Sequence, residues 1–97
     1  MPKFISTVRF VTKDGCADEF IRKHHETDFK NIAVSQQLIR TSDKGICWIG
    51  VFESKESLVA ARPELINQLD QVRHLLEEIS PELGVTNPVS GPVVWEI

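Results

Sequence analysis

The chain has 97 residues, of which 41% are hydrophobic and 26% are charged, and it carries a formal net charge of −3. This length fits a single domain over residues 1–97, whose thin core would gain from an oligomeric interface. The dispersed Lys and Arg residues exclude a nucleic-acid partner, and the longest nearly apolar run, Ile46–Phe52, is too short for the ~20 residues of a membrane helix.

The first half of the chain predicts a strand, a helix and a second strand. Lys3–Val11 alternates side-chain types and is rich in β-branched and aromatic residues, as expected of a strand. Both of its faces are partly apolar, which predicts a sheet covered on both sides. A helix is expected from about Cys16 to Phe29, followed by a strand over Val34–Thr41. At about 100° per residue, one stripe of this helix comprises Ala17, Phe20, Ile21, His24 and Asp28.

The second half predicts a hairpin, an interrupted helix and a last strand. A turn at residues 42–45 leads into the most apolar strand, Ile46–Glu53. Ser54 opens a helical region in which Pro63 predicts a short first piece and a longer second piece. The apolar stripe of the second piece comprises Leu65, Leu69, Val72, Leu76 and Ile79, and residues 80–84 end the helix. Val93–Ile97 predicts a final short strand.

The resulting order, β-α-β-β-α-β, is the ferredoxin-like α+β plan with a four-stranded antiparallel sheet. Its helices cover one side of the sheet only, although the strands are apolar on two sides. The simplest way to bury the second side is contact with a second copy of the chain, with two sheets packed face to face in a dimeric α+β barrel. We therefore expect a homodimer.

The element order, the size and the junction WIGVFESKESLVAARP at residues 48–63 resemble the antibiotic biosynthesis monooxygenase-like family of dimeric α+β barrels. In that family the third strand also ends in an aromatic-Glu-Ser/Asp step, followed by a Glu-x-Leu helix start. The resemblance covers nearly the whole chain. It implies the barrel fold and one of three functions: cofactor-free oxygenation of quinol-like aromatic molecules, haem degradation, or a role without assigned activity.

The chain departs from that family at several functional positions. It contains no tyrosine, and its first strand contains no asparagine. Ala61 stands where the haem-degrading relatives carry a tryptophan, which disfavours haem degradation. The missing tyrosine argues against a simple transfer of the oxygenase chemistry.

Among the candidate site residues, His24 is the most informative. It lies in the apolar stripe of the first helix, and Asp28 follows one turn later. A carboxylate there can orient the imidazole as a general base, although a structural, hydrogen-bonded histidine remains open. His25, on the flank of the stripe, is a candidate substrate-binding residue. Adjacent histidines cannot reach one metal ion from a regular helix, so we expect no metal. The sequence also lacks a Gly-rich phosphate loop, and we expect no cofactor.

Arg9, Trp48 and Phe20 complete the predicted site. Arg9 interrupts an apolar strand face, where it either pairs across a dimer or holds an anionic oxygen as a catalytic residue. Trp48 is expected either to pack in the core or, together with Phe20, to bind a flat substrate. Trp95 is expected to pack at a dimer or helix contact.

Three functions follow from these residues. The first is a cofactor-independent monooxygenase, or related small-molecule enzyme, with a small quinol-like or aromatic substrate. The second is a non-catalytic small-ligand-binding or stress-related dimeric barrel protein. The third is a purely structural role, which predicts a collapsed pocket filled by Phe20, Trp48 and Leu69. The first ten residues lack the features of a signal peptide, so we expect a cytoplasmic protein.

Overall fold

The computed structural model describes residues 3–26 and 33–97, with the backbone alone at residues 25 and 26. The elements are β1 (Phe4–Val11), α1 (Ala17–Glu26), β2 (Ser35–Arg40), β3 (Gly45–Phe52), α2 (Lys55–Val72) and β4 (Asn87–Pro92). The four strands form one antiparallel sheet in the order β2-β3-β1-β4, which confirms the predicted ferredoxin-like fold. No helix in the two described ranges is long and apolar enough to cross a membrane.

Strand register divides the alternating side chains of the sheet between two faces. Val8 of β1 pairs with Trp48 of β3 and with Pro88 of β4, so these three side chains lie on one face. We call it the helix face, because Trp48 packs there in a cluster with Leu58 of α2. The opposite, open face carries Ile5, Thr7, Arg9 and Val11 of β1 with Ile39 of β2 and Val89 of β4.

Two clusters of buried residues lie on the helix face. One joins α1 to the start of β3 and to the segment after α2, and the other joins β3 to the start of α2. Phe10 of β1 packs against both clusters, and its ring centroid lies 5.2 Å from that of Phe20. The first cluster comprises Ala17, Phe20, Ile46, Leu75 and Leu76, and the second comprises Trp48, Phe52 and Leu58.

Helix α2 begins as predicted but is continuous through Pro63, so the expected break there was wrong. The Oγ of Ser54 caps the helix by accepting a hydrogen bond from the Ser57 backbone N–H at 3.2 Å. A proline at position 63 removes the hydrogen bond to the carbonyl of Val59. Val59 is 47% exposed, and water can bond to carbonyls on the solvent side of a helix. This explains why the helix tolerates the proline.

The predicted apolar stripe of α2 was too long at its C-terminal end. The helix stops at Val72 and a 3₁₀ turn, Arg73–Leu75, follows directly. Leu76 then forms an antiparallel bridge with Thr12, and the Lys13 N–H donates to the Leu75 carbonyl at 2.8 Å. These bonds hold the chain at the end of β1. They also allow the consecutive residues Leu75 and Leu76 both to be buried. In a continued helix their side chains would point about 100° apart.

The last strand also differs from the prediction. It is formed by Asn87–Pro92, whereas the predicted segment, Val93–Ile97, is not a strand. β4 lies at an edge and pairs only with β1, and an edge strand accepts prolines whose missing N–H faces away from its neighbour. Trp95 is 75% exposed, so it does not pack on a helix of the described chain. Its contact with a second copy stays a prediction.

Candidate functional site

A cavity of about 370 Å³ opens on the helix face, between the sheet and the two helices. Its volume lies in the range of small-molecule sites, roughly 300–1,000 Å³. Phe20, Trp48 and Leu69, which a purely structural role would pack together, border this open space instead. Apolar side chains form most of the wall, and they include Val8, Phe10, Leu38, Leu58, Leu65 and Val72.

Trp48 is held in the cavity wall by two neighbours that the sequence analysis did not single out. Its indole N–H donates to the Oε1 of Gln36, on the adjacent strand β2, at 3.1 Å. Gly50 follows two residues later on the same face, and a Cβ there would overlap the six-membered ring of Trp48. The ring centroid of Trp48 also lies 6.3 Å from that of Phe52, and the two rings meet edge to face. The indole therefore lies across the bare backbone of β3 in a fixed orientation.

His24 lines the same cavity from α1, one turn after the buried Phe20. Its half-buried position fits the stripe predicted for this helix. Asp28 lies outside the described residues, and His25 is described by its backbone alone. The orientation of His24 by Asp28 and a substrate contact by His25 therefore stay predictions.

Arg9 does not reach the cavity. It lies exposed on the open face, because its odd-numbered position in β1 points away from both helices. The arginine that the structure brings to the cavity is Arg62 of α2. Arg62 lies one turn after the buried Leu58 on the same helix face, which is the signal that could have found it.

A few polar groups interrupt the apolar wall. Ser6, Thr86 and Ser90 approach from β1 and from the end of the sheet near β4, and Gln68 approaches from α2. No carboxylate belongs to the described residues that line the cavity, and Arg62 is the one permanent charge among them. The cavity therefore favours a neutral or anionic ligand over a cation.

Away from the cavity, Lys44 in the hairpin between β2 and β3 lies close to two carboxylates. Its ammonium group lies 3.1 Å from the carboxylate of Glu77 and 3.3 Å from that of Asp14. Hydrogen bonding to Glu77, and then to Asp14, raises the pKa of Lys44 above its ordinary value. The contact with Glu77 ties the hairpin to the segment after α2, and the contact with Asp14 ties it to the turn between β1 and α1.

Within the described ranges, no group of three His, Cys, Asp or Glu side chains is placed to hold a metal ion. Cys16 is half-buried, Cys47 is buried, and both are free thiols. Neither thiol belongs to the described lining of the cavity. The groups available for chemistry there are an imidazole, a guanidinium, hydroxyls and an amide.

Solved structures provide the comparison for this geometry, since no protein-family profile and no curated protein matches the sequence. A candidate antibiotic biosynthesis monooxygenase from Chloroflexus aurantiacus is 15% identical, with a TM-score of 0.73 over 98% of this chain and 96% of that one. A variant of SnoaB, a cofactor-independent oxygenase from Streptomyces nogalater, is 14% identical, with a TM-score of 0.71 over 100% and 98%.

A third similar structure is a dimeric ferredoxin-like protein from an uncultured marine organism. It is 11% identical and has a TM-score of 0.75 over 100% of this chain and 92% of that one. At these identities the likeness is one of fold. The chain thus has the fold of the antibiotic biosynthesis monooxygenase-like proteins, as the resemblance in its sequence implied.

Proposed function

We propose that this chain is a cofactor-independent monooxygenase, or a related small-molecule enzyme, acting on a hydroxylated, quinol-like aromatic substrate. The observation that carries the proposal is the imidazole of His24 at the wall of a mostly apolar cavity of about 370 Å³. The rings of Trp48 and Phe20 border the same space and suit a flat ligand. The similarity in fold to a cofactor-independent oxygenase supports this choice over a binding protein.

In this proposal His24 is the general base. It removes the proton of a phenolic O–H, and the resulting electron-rich phenolate reacts directly with dioxygen. The ring carbon para to the phenolate oxygen loses its hydrogen and gains a carbonyl oxygen. The second oxygen atom leaves as water, so the substrate supplies all four electrons that reduce dioxygen.

Arg62 takes the role that the sequence analysis gave to Arg9. A guanidinium at the cavity wall stabilises the phenolate as its charge develops, and the absence of a lining carboxylate among the described residues leaves that attraction uncompensated. The hydroxyls of Ser6 and Ser90 lie on the sheet side of the cavity, where they can orient the ring oxygens. Trp48, anchored by Gln36, supplies a flat wall.

The test is oxygen uptake with 1,5-dihydroxynaphthalene, which this reaction converts to 5-hydroxy-1,4-naphthoquinone and water. We expect one dioxygen consumed per quinone formed, above the uncatalysed rate. Replacement of His24 by alanine should lower the rate by at least about 100-fold, the usual contribution of a general base. His74→Ala is the matched control, because His74 is exposed and lies outside the described cavity lining.

Full activity in a folded His24→Ala variant would overturn the assignment of the base. Binding of the naphthalene without oxygen uptake would instead support the non-catalytic ligand-binding function.

We further propose that the open face binds a second copy of the chain. Ile39 and Val89 are 48% and 65% exposed on that face, which neither helix covers. Large exposed apolar patches mark interaction surfaces, and a protein of similar fold is named as dimeric. Arg9 then lies at the interface, where it can pair across the dimer.

A further inference from the structure

Gln68 carries a hydrogen-bond acceptor for which the described part of the chain supplies no donor. Its side chain belongs to the cavity wall, and its Oε1 atom is buried without a hydrogen-bond partner in the part of the chain that the structure describes. A buried acceptor without a donor is rare in folded proteins, because it has lost water and gained nothing in return. We therefore expect such an atom at a cavity wall to accept a hydrogen bond from a ligand.

Glu64 determines which atom of the amide is left over. The Nε2 of Gln68 donates to the Oε1 of Glu64 at 2.7 Å, one helical turn away. An ionised carboxylate can only accept, so it holds the NH₂ group of the amide toward itself. The carbonyl oxygen of Gln68 is therefore the end that faces away from Glu64.

We infer that the Oε1 of Gln68 accepts a hydrogen bond from a hydroxyl of the bound molecule, with Glu64 as the positioning residue. This inference rests on the function proposed above and adds a specificity rule to it. The ligand presents an O–H or N–H donor at the α2 wall, and its methyl ether, which lacks that donor, binds more weakly.

The neighbouring wall explains how the oxygen can be both buried and available. Leu65 and Leu69 border the cavity on either side of Gln68 in the sequence, and the proposed contact requires that one of these side chains changes rotamer when a ring enters. Because the oxygen has already lost its water, the new hydrogen bond costs the protein no further desolvation. The net gain is larger than for an exposed amide.

The experiment measures binding rather than turnover. The affinities of 1-naphthol and 1-methoxynaphthalene are compared by calorimetry in the absence of oxygen. The two probes share a naphthalene ring, and a methyl group replaces the hydroxyl hydrogen in the second. We expect the wild-type chain to bind 1-naphthol roughly tenfold more tightly, the ratio that one buried hydrogen bond provides.

Three variants separate a ligand contact from a structural role. Gln68→Met keeps the length of the side chain and removes the acceptor, so the preference should fall to about onefold while the affinity for the ether is unchanged. Glu64→Ala frees the amide to turn its NH₂ group toward the ether, so the preference should shrink to a few-fold. Gln71→Met, at an exposed position of the same helix, should keep the wild-type ratio.

The outcomes distinguish this inference from the proposed function. Tight binding of both probes without preference, or a preference that survives in Gln68→Met, overturns the role of Gln68 and leaves the cavity as a binding site. Failure of both probes to bind overturns both proposals. A Gln68→Met chain that loses thermal stability but keeps the wild-type ratio shows a structural role only.

Discussion

The two faces of the sheet are built from the same four strands, yet they differ sharply in environment. On the helix face Phe52 is fully buried, and Trp48 lies in a wall fixed by hydrogen bonding and by Gly50. On the open face Ile39 and Val89 are about half exposed or more, and Arg9 points to solvent. Apolar composition alone therefore does not distinguish the face that holds the candidate site.

The difference shows what each face is suited to do. The helix face combines a packed core with a cavity whose polar groups are few and held in place, which suits the recognition of a small molecule. The open face is apolar in part and uncovered by either helix, which suits contact with another protein surface. Substitutions matched between the two faces test this division.

The largest expected effect is on association through the open face. Ile39→Asp places an unpaired carboxylate in the proposed interface, which should weaken dimerisation by about 3–5 kcal/mol. Val59→Asp is the matched control, because Val59 is equally exposed but lies on the outer side of α2. Sedimentation equilibrium should show dimers for the control and monomers for Ile39→Asp. Dimers in both variants would show that the interface lies elsewhere. A monomeric wild-type chain would show that the open face does not bind a second copy.

An intermediate effect is expected at Gly50 on the helix face. Gly50→Ala forces the indole of Trp48 from its position, so the free energy of unfolding should fall by about 1–3 kcal/mol. Gly91→Ala on β4 meets no atom of the described residues within 4 Å and should be neutral or slightly stabilising. Chemical denaturation measures both values, and near-ultraviolet circular dichroism reports the displaced indole. Equal losses of unfolding free energy in the two variants would contradict the close approach of the Trp48 indole to Gly50.

The smallest effect is expected at Lys44, at the end of the sheet and on neither face. Glu77 and Asp14 raise the pKa of this ammonium group, so its stabilising effect is fully present below the ordinary pKa of 10.5 and is lost as pH rises through the raised value. Wild type should be slightly more stable than Lys44→Met at neutral pH. The difference between them should vanish in strongly alkaline solution, and a difference that grows with pH would contradict the ion pair.

The periodicity of the sequence was enough to predict the fold and the grouping of side chains, but not which group faces the helices. In β1 both alternating sets contain large apolar residues, Phe4 and Phe10 in one and Ile5 in the other. Because each set is a plausible core, the register could not be assigned in advance. Arg9 was consequently predicted at a site that lies on the other side of the sheet.

The same limit applies to the helices and to the last strand. His24, Phe20 and Trp48 were identified as site residues from their positions in apolar stretches, and the structure brings all three to one cavity. Pro63 was expected to interrupt α2, and the last strand was expected over Val93–Ile97, although the helix accommodates Pro63 and the edge strand β4 accommodates two prolines. No pattern in the sequence identified Gln68 as a site residue, since its proposed role depends on burial of one atom and on the contact with Glu64.

The cytoplasmic localisation and the dimer stay predictions.

The prolines of β4 also restrict how copies of this chain can associate. The Val93 N–H bonds to the Lys3 carbonyl, so odd-numbered positions direct their N–H toward β1 and even-numbered positions direct theirs outward. Of the three outward positions in β4, Pro88 and Pro92 have no N–H, which leaves Ser90 as the single donor. This edge cannot template a further strand, and the chain is thereby protected from open-ended edge-to-edge aggregation on that side.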